Sequence, residues 1–542
     1  MIAHLRPIFF AFMSLAMGIW LAKLVVYDSI WYGIAFGILA GICLLGYALY
    51  YIFKKNKFQF FYKIRLHVII IVISIMLGSG LYLITTAVYE VDFEPKENVT
   101  YGVSGVVDTN YIQTTNGTYF FISNVSVYTS TETINLERNM YIYLRHEDKK
   151  LTDAELKMIL PGNHIFFSSI IKLTPVFGEG GLNSFAYKNN YQHTAYPVID
   201  EMLVVEGEMS IMDSIREHIR GMYKDHMDER YAGLAFSVLI GDRTELAYDI
   251  ADNFAISGIA HVVAVSGLNT AFIMMLLIWV LSKVRANRWL KLTIVIIVLL
   301  LYALLCDMTP SVVRASMMSI FLLIGNLFGK QSDKLNSISL SGIILLLFFP
   351  LYIFDLSFLL SYSGVFGIFL LYPIMQKAFA WLKWKPLVDS VAVTVAATIG
   401  STPLITNSFE YFSVIGLLAN LILVPLFGYA FMILFFITLV ALIIPPVAYL
   451  LTLTQYGFWL VDKGAYLFAV VPYAAVYLPP TPEWSLVSYY VGCFTASRYC
   501  LVGDNTKIIT TTLLFAVYVV AMFVPLFSGF LDYISINVGG ST

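Results

Sequence analysis

Residues 292–306 read LTIVIIVLLLYALLC, an unbroken apolar run entered from Lys283, Arg285, Arg288 and Lys291 and left at Asp307. Cations at one end and an acid at the other describe a bilayer crossing whose basic end faces the cytoplasm. The pattern continues with alternating polarity. Pro310–Phe328 ends at Lys330 and Lys334, Ile338–Pro350 leads to Asp355, and Phe358–Ile374 returns to Lys377, Lys383 and Lys385. Leu268–Leu281 precedes this series. Leu387–Ile405, a long stretch from Phe412 to Ile444 interrupted by Pro425, Val447–Val470, Trp484–Cys493 and Ile508–Phe527 follow it. Toward the N-terminus lie Pro7–Val26, Trp31–Phe53 and Val68–Val88, with Lys54, Lys55, Lys57, Lys63 and Arg65 between the last two. That basic loop is expected in the cytoplasm, with the N-terminus beside it.

Of the 542 residues, 59% are hydrophobic and 13% charged, where a soluble chain has ~45–50% and ~25%. Mean hydropathy is +0.78. At ~20 residues per crossing, the apolar part supplies about ten membrane segments. This excludes a soluble enzyme, a disordered scaffold and a secreted disulfide-rich chain. The four cysteines, Cys43, Cys306, Cys493 and Cys500, all lie in or beside apolar segments, so no disulfide framework is legible.

From Glu90 to Glu208 the composition changes. Val99, Tyr101 and Val103 alternate with polar neighbours, and Asn116-Gly117 sits between two β-rich runs, a strong hairpin signal. Met140–Arg145, His164–Leu173 and Met202–Val205 are further strands. About five short strands in ~110 residues suggest a small barrel of OB type. This stretch contains 16 acidic and 8 basic residues, net −8, the wrong sign for a nucleic-acid groove. The sequence therefore predicts a poor DNA binder with a structural or gating role. Residues 209–231 then place Ile211, Ile215, Ile219, Met222 and Tyr223 on one helical face, the pattern of an interfacial helix.

Two apolar pieces too short to cross, Tyr231–Ile240 and Asn253–Ser266, flank Gly241-Asp242-Arg243. Such pieces are tolerated at membrane depth only inside protein or beside water. Arg314 lies four residues into a span, where a central arginine costs ~2.5–3.5 kcal/mol on insertion scales, and Asp307 is two turns earlier on the same face. A wet cavity is the natural place for Arg314 and Arg243, whereas Asp307 and Asp355 equally suit the interface. His261 and Ser266 leave three readings open: a nucleophile with its base, a small-residue helix contact, or a cavity lining. Five positions apart they sit ~140° apart on a helix, and Ala264 stands where a nucleophile elbow needs glycine. The histidines, all at or before His261, show no metal-ligand spacing. No P-loop or dinucleotide fingerprint is present. The sequence implies no catalytic residues, metal or cofactor.

These landmarks resemble, in order, the ComEC-type competence family of DNA-uptake membrane channels. Arg6-Pro7 opens the first helix. Asn183, Phe185 and Tyr187 look like its Asn-Pro-Gly-Phe-Asp-Tyr motif without the Pro and Asp. Leu239-Ile240-Gly241-Asp242-Arg243 resembles LLLGDR, and Gly258 to Leu268 resembles GLxHLLAVSGLH, with Asn269 at its last His. Pro310 to Ala315 matches SPSVxRA. Ser357 to Tyr362 is similar to GFQLSF with its Gly and Gln replaced, and Leu417 to Leu426 resembles LLANLLxxPL.

The resemblance implies an extracellular OB-like domain followed by a channel domain of about seven or more helices. Together they would pass single-stranded DNA inward across the cytoplasmic membrane during natural transformation. The layout expected is three transmembrane helices in 1–89, the β domain in 90–208, the interfacial helix in 209–231, the channel in 232–530 and an extracellular tail in 531–542. Many members continue into a metallo-β-lactamase-like nuclease; Ile534 to Gly540 look like its first strand, and the chain reads as a member without that domain. Implied partners are single-stranded DNA, the lipid bilayer and other competence proteins: a DNA receptor, a cytoplasmic helicase or ATPase, and a separately supplied nuclease. The residues expected along the DNA path are Asp242, Arg243, His261, Ser266, Asn269, Asp307, Arg314 and Asp355. A polytopic membrane enzyme using His261, Ser266 and Asp242, or an unrelated solute transporter, is the competing reading.

Overall fold

The computed structural model describes residues 7–27, 58–89, 91–114, 117–129, 132–145, 151–178, 181–263, 265–285, 287–327, 334–478, 480–497 and 504–539. The expected span Trp31–Phe53, residues 54–57 of the basic loop, and Asn116 lie outside these residues. The chain divides into two compact units, residues 1–218 with 317–355, and residues 219–316 with 356–542.

In the first unit, α1 (Pro7–Tyr27) and α2 (Phe58–Val88) run side by side in the same direction, in close contact. A side chain at Gly18 would meet the Ile75 carbonyl at 2.2 Å and one at Gly78 the Leu15 carbonyl at 2.3 Å. Ser79 Oγ donates to the Gly18 carbonyl at 3.0 Å. In lipid no hydrophobic force draws helices together, so small residues that admit backbone contact hold such pairs.

The β domain follows: β1 (Thr100–Val107), β2 (Ile112–Gln113), β3 (Gly117–Tyr128), β4 (Thr133–Asn135), β5 (Asn139–Arg145), α3 (Asp153–Met158), β6 (His164–Leu173), β7 (Phe177–Gly178), β8 (Gly181–Leu182), α4 (Ser184–Lys188), β9 (Tyr191–Ala195) and β10 (Leu203–Val205). The strands join in the order β1-β3-β5-β9-β6, and β6 pairs back onto β1, so the ring of pairings closes. All pairs in the ring are antiparallel except β5 with β9. Alternate residues fill the interior, among them Val103, Phe120, Ile122, Met140, Ile142 and Ile165. Sequence alternation finds β1, β3, β5 and β6 but not β9. All five residues of YQHTA are buried, so β9 shows no period-two pattern. The Met202–Val205 strand exists as β10, outside the ring.

The β domain is fastened to α2 by Arg138. Its guanidinium donates to the Val88 carbonyl at 2.7 Å, to Asp92 at 3.3 Å and to Gln192 Oε1 at 3.2 Å, and lies 4.6 Å from the Tyr89 ring. Gln192 Nε2 donates in turn to the Tyr89 carbonyl at 3.0 Å. The last carbonyls of a helix have no partner of their own; here the β domain supplies one.

The second unit begins within α5 (Ile211–His226), the amphipathic helix read from the sequence. Its apolar face meets protein: Tyr223 is buried and hydrogen-bonded to Thr438 Oγ1 at 2.7 Å. Then come α6 (Glu229–Ile240), α7 (Tyr248–Ile256), α8 (Ala260–Val263), α9 (Gly267–Lys283), α10 (Arg288–Leu305) and α11 (Pro310–Leu327), the last crossing into the first unit, which also holds α12 (Lys334–Phe348). The series ends with α13 (Leu356–Ala378), α14 (Lys385–Phe409), α15 (Gly416–Ala441, uninterrupted at Pro425), α16 (Leu451–Ala469), α17 (Glu483–Ala496) and α18 (Asp504–Gly539). The strands β11 (Tyr411–Ser413) and β12 (Ala475–Tyr477) pair between these helices.

Six helices among the described residues are long and apolar enough to cross a membrane: 69–88, 288–305, 356–378, 385–409, 416–441 and 505–523. Four shorter apolar helices cover 7–23, 267–283, 310–325 and 335–348. One expectation fails: residues 534–539, read as an opening strand, are the last turns of α18. A strand needs a neighbour for its backbone, whereas a continuing helix satisfies its own.

His193 on β9 is buried and hydrogen-bonds the Phe93 carbonyl through Nε2 at 2.7 Å. Burial holds its pKa below the ordinary value, against the opposing pull of that carbonyl and of Asp92. The unfolded chain takes up this proton near pH ~6.5, the folded one only lower, so stability is complete above ~6.5 and falls on acidification. Between pH 7.5 and 5.5 the β9 amides should lose hydrogen-exchange protection, and His193→Gln should flatten that loss. Equal protection of β9 at both pH values would contradict it.

Candidate functional site

The motif-bearing residues of the second unit gather where its helices break. Helix α6 stops at Gly241, whose φ of +100° is a left-handed helix end that favours glycine. Asp242 follows and is fully engaged. One oxygen accepts from the Thr244 backbone N–H at 2.9 Å and from the Thr244 hydroxyl, and the other meets Arg220 Nη2 at 2.6 Å. Arg220 also lies 4.6 Å from the Phe236 ring and 3.8 Å from Glu245, which pairs with Lys224 at 2.7 Å. The next residue, Arg243, is exposed, and among the described residues no carboxylate pairs with it.

The second break runs from Ser257 to Ser266. Gly258 has φ +80°, and a side chain there would meet Gly416 Cα at 2.8 Å. The carbonyls released by the break find side chains from segments distant in sequence. Ser413 Oγ donates to Ile256 O at 2.8 Å, Asn420 Nδ2 to Gly258 O at 3.3 Å, and Ser311 Oγ to Val265 O at 2.8 Å. Ser266 caps α9, accepting from Leu268 N–H at 3.2 Å. Asn269, fully buried, donates to Val238 O on α6 at 2.8 Å and accepts from Ser266 Oγ at 3.4 Å. A side chain at Gly267 would lie 3.2 Å from Ala315 Cβ, so α9 and α11 nearly touch.

Arg314, on α11, is 1% exposed. Its Nη2 donates to the Ser357 carbonyl in the first turn of α13 at 2.6 Å, and its guanidinium carbon lies 5.6 Å from the Phe358 ring. The arginine is thus held within protein and not on a lipid-facing surface. The structure brings Ser266, Asn269 and the α11 motif together at one break, with Arg314 on the next turn. His261 on α8 is exposed, and among the described residues no hydrogen bond joins it to Ser266, whose hydroxyl meets Leu268 N–H and Asn269 Oδ1. Asp307 is exposed in a left-handed turn with φ +52°, and Asp355 is half-buried after the 3-10 turn Pro350–Phe354. Among the described residues no three of His, Cys, Asp and Glu gather as a metal site.

Sequence reading missed an aromatic face on the β domain. Tyr119 on β3 and Tyr141 and Tyr143 on β5 are half-buried on the outer side of the sheet, packed beside the buried Phe121 and Tyr191. Tyr141 lies 5.3 Å from Tyr119 and stacks at 5.4 Å on Tyr191. Phe185 of α4, 45% exposed, leans over Tyr141 at 6.2 Å, placed by the Asn183 cap that accepts from Ala186 N–H at 3.0 Å. Tyr143 reaches Tyr196 at 6.2 Å, over which Lys172 Nζ sits at 5.4 Å. Arg145 shares the outward register of Tyr141 and Tyr143, and Lys188 is one turn beyond Phe185. Asp108 lies at the far end, beside Asn139 at 3.4 Å. Burial raises the phenols of Tyr119 and Tyr141, and pushes Tyr191 up to about 12, so the face is uncharged at neutral pH. The signal was legible as period-two aromatics on two paired strands, but a whole-domain charge sum concealed it.

Residues 238–501 match the family model described as Competence protein. The chain is similar to ComE operon protein 3 of Bacillus subtilis (strain 168), 29% identical over 216 residues, covering 40% of this chain and 27% of that protein. It is also similar to an uncharacterized protein of Aquifex aeolicus (strain VF5), 26% identical over 220 residues, 40% of this chain and 50% of the other. The matches thus span about a quarter and a half of these relatives' lengths. No solved structure gives a significant match. The five stretches from Leu239 to Arg243, Gly258 to Leu268, Pro310 to Ala315, Ser357 to Tyr362 and Leu417 to Leu426 all fall inside the matched region.

Arg220 and Asp242 are both about 8% exposed, and removing one member of a buried pair costs ~3–5 kcal/mol because the other charge stays buried. Asp242→Asn and Arg220→Met should each lower the thermal midpoint of the detergent-solubilised chain. The double variant should recover much of the loss. Additive losses would mean that the two residues act independently.

Proposed function

We propose, from the premise that residues 238–501 are a ComEC-type competence-protein domain, that this chain is a multi-pass membrane channel through which single-stranded DNA enters the cell during natural transformation. The observation that carries the reading is the concentration of the family's motifs on one set of helix breaks inside the matched region. A continuous helix offers passing phosphates nothing, because its N–H groups are all bonded internally. A broken one brings backbone and short polar side chains to membrane depth, where they are tolerated only beside protein or water. A conduit must also bind its cargo weakly enough to release it, which suits a few fixed cations.

Arg243 and His261, both exposed, are the residues we assign to contact with DNA. Asp242, Ser266 and Asn269 hold the breaks in shape. Arg314 sets α11 against the start of α13 and supplies positive potential beside the break. Asp307 and Asp355 are assigned to the ends of the path. The ten apolar helices of the described residues, together with the expected span Trp31–Phe53, are read as membrane segments, with the N-terminus in the cytoplasm and residues 90–208 outside. The closed ring of β1, β3, β5, β9 and β6, with α3 between its third and fourth strands, is read as an OB-like barrel. Its aromatic face lies on the second and third strands, the side that OB folds use for oligonucleotides. Stacking on neutral aromatic rings works without a basic domain, since each base offers a π-face worth ~1–3 kcal/mol. The acidic total of the domain therefore does not decide the matter. A DNA receptor, a cytoplasmic motor and a separate nuclease would act with the chain. The enzyme reading lacks support at Ser266, whose hydroxyl is taken up by Leu268 and Asn269.

Arg314→Ala should abolish internalisation of labelled DNA while leaving expression and surface-bound DNA intact. Arg314→Lys should restore little, because a point charge cannot reproduce the planar fork. Normal uptake by the alanine strain would end the assignment.

Tyr141→Ala in the full chain in micelles should weaken oligothymidylate binding about tenfold, a fall matching ~1.4 kcal/mol of stacking, with little change in salt dependence. Unchanged affinity would restrict the β domain to a structural role.

A further inference from the structure

On the β domain, away from its aromatic face, β1, β6 and β10 form a groove of about 310 Å3. Its floor is Gly102 and Ser168, and its walls are Tyr128, Phe166, Leu203 and Glu201. The Tyr128 ring lies over Gly102, with its hydroxyl 3.1 Å from Ser104 Oγ. Apart from Glu201 the walls are apolar, and they are open to solvent: Leu203 is 73% exposed, and the neighbouring Val205 is 57% exposed. Beside the groove runs a free strand edge. β10 pairs with β6 through Leu203–Phe166, Val204–Ile165 and Val205–His164, and among the described residues no strand pairs with its other side. An open edge is normally blunted by lysine, proline or a bulge. This one is bracketed by acids instead: residues 200–208 contain Asp200, Glu201, Glu206 and Glu208 and no lysine or arginine, and all four acids are exposed.

We propose that this edge accepts an extended, basic segment of another protein as an added strand. Backbone hydrogen bonds to β10 would supply affinity, and alternate side chains would supply selectivity. One apolar residue would enter the groove, with lysine or arginine on each side meeting the acidic pairs at the two ends of β10. The charges disfavour the other occupants. A second copy would bring the same four acids against these, and like charges directly opposite destabilise strand pairs. An anionic lipid surface repels the same acids.

The test uses the full chain in detergent micelles and three fluorescein-labelled probes. The first is Lys-Lys-Val-Leu-Val-Lys-Lys, the second replaces each Lys by Glu, and the third is the basic peptide N-methylated at alternate residues so that it cannot pair. The basic peptide should bind at least tenfold more tightly than the other two and protect the amides of residues 203–205 from exchange. Leu203→Lys, an exposed position whose change leaves the barrel interior intact, should weaken it at least tenfold, as should Glu201→Lys combined with Glu206→Lys. Equal binding of the three probes, protection elsewhere than β10, or unchanged affinity in both variants would overturn the proposal. So would self-association of the chain that buries Leu203.

Discussion

Every carbonyl freed where a helix breaks inside an apolar domain must find a donor, because hydrocarbon offers none. The second unit is organised around this requirement. The breaks at 241 and 257–266 release Val238, Ile256, Gly258 and Val265, and Asn269, Ser413, Asn420 and Ser311 reach from other segments to take them. Each of those side chains lies at least 31 residues from the carbonyl it meets, so each tie also fixes one segment against another. The breaks are therefore held in a single arrangement by groups that no local sequence window contains.

This explains what could be read from the sequence and what could not. The apolar helices and the strands β3, β5 and β6 follow from local patterns of period 3.6 or 2, and among the described residues helices and strands stand at those positions. The short pieces around Asp242 and His261 were also visible as too brief to cross. The roles of their residues were not. Asp242 reads as a path residue from its intramembrane position, yet its partner Arg220 lies on a helix that looked interfacial. Asn269, which stands at the last His of its motif and reads as a path residue, bonds the carbonyl of Val238, a contact that spacing cannot show. β9 escaped notice because a strand covered on both faces loses its alternation. The aromatic face escaped because composition averages over a surface, whereas binding depends on what is adjacent.

The two sides of the β domain follow different chemistry. Around Tyr141 the rings are neutral and the nearby fixed charges include Arg145 and Lys172. Around β10 the exposed apolar side chains are flanked by Asp200, Glu201, Glu206 and Glu208. A domain of net −8 can thus carry two unlike surfaces, since charge acts over only about a Debye length, ~8 Å at physiological ionic strength.

The tie between Arg138 and the end of α2 has a mechanical meaning. Its guanidinium grips the last carbonyl of α2, the first carboxylate beyond it and a side chain of β9 at once, leaving no free linker between barrel and helix. A tug on a strand of the barrel is therefore delivered as torque to α2 and, through the backbone contacts at Gly18 and Gly78, to α1. The domain and the two helices are thereby joined through side-chain and backbone contacts as well as through the chain itself.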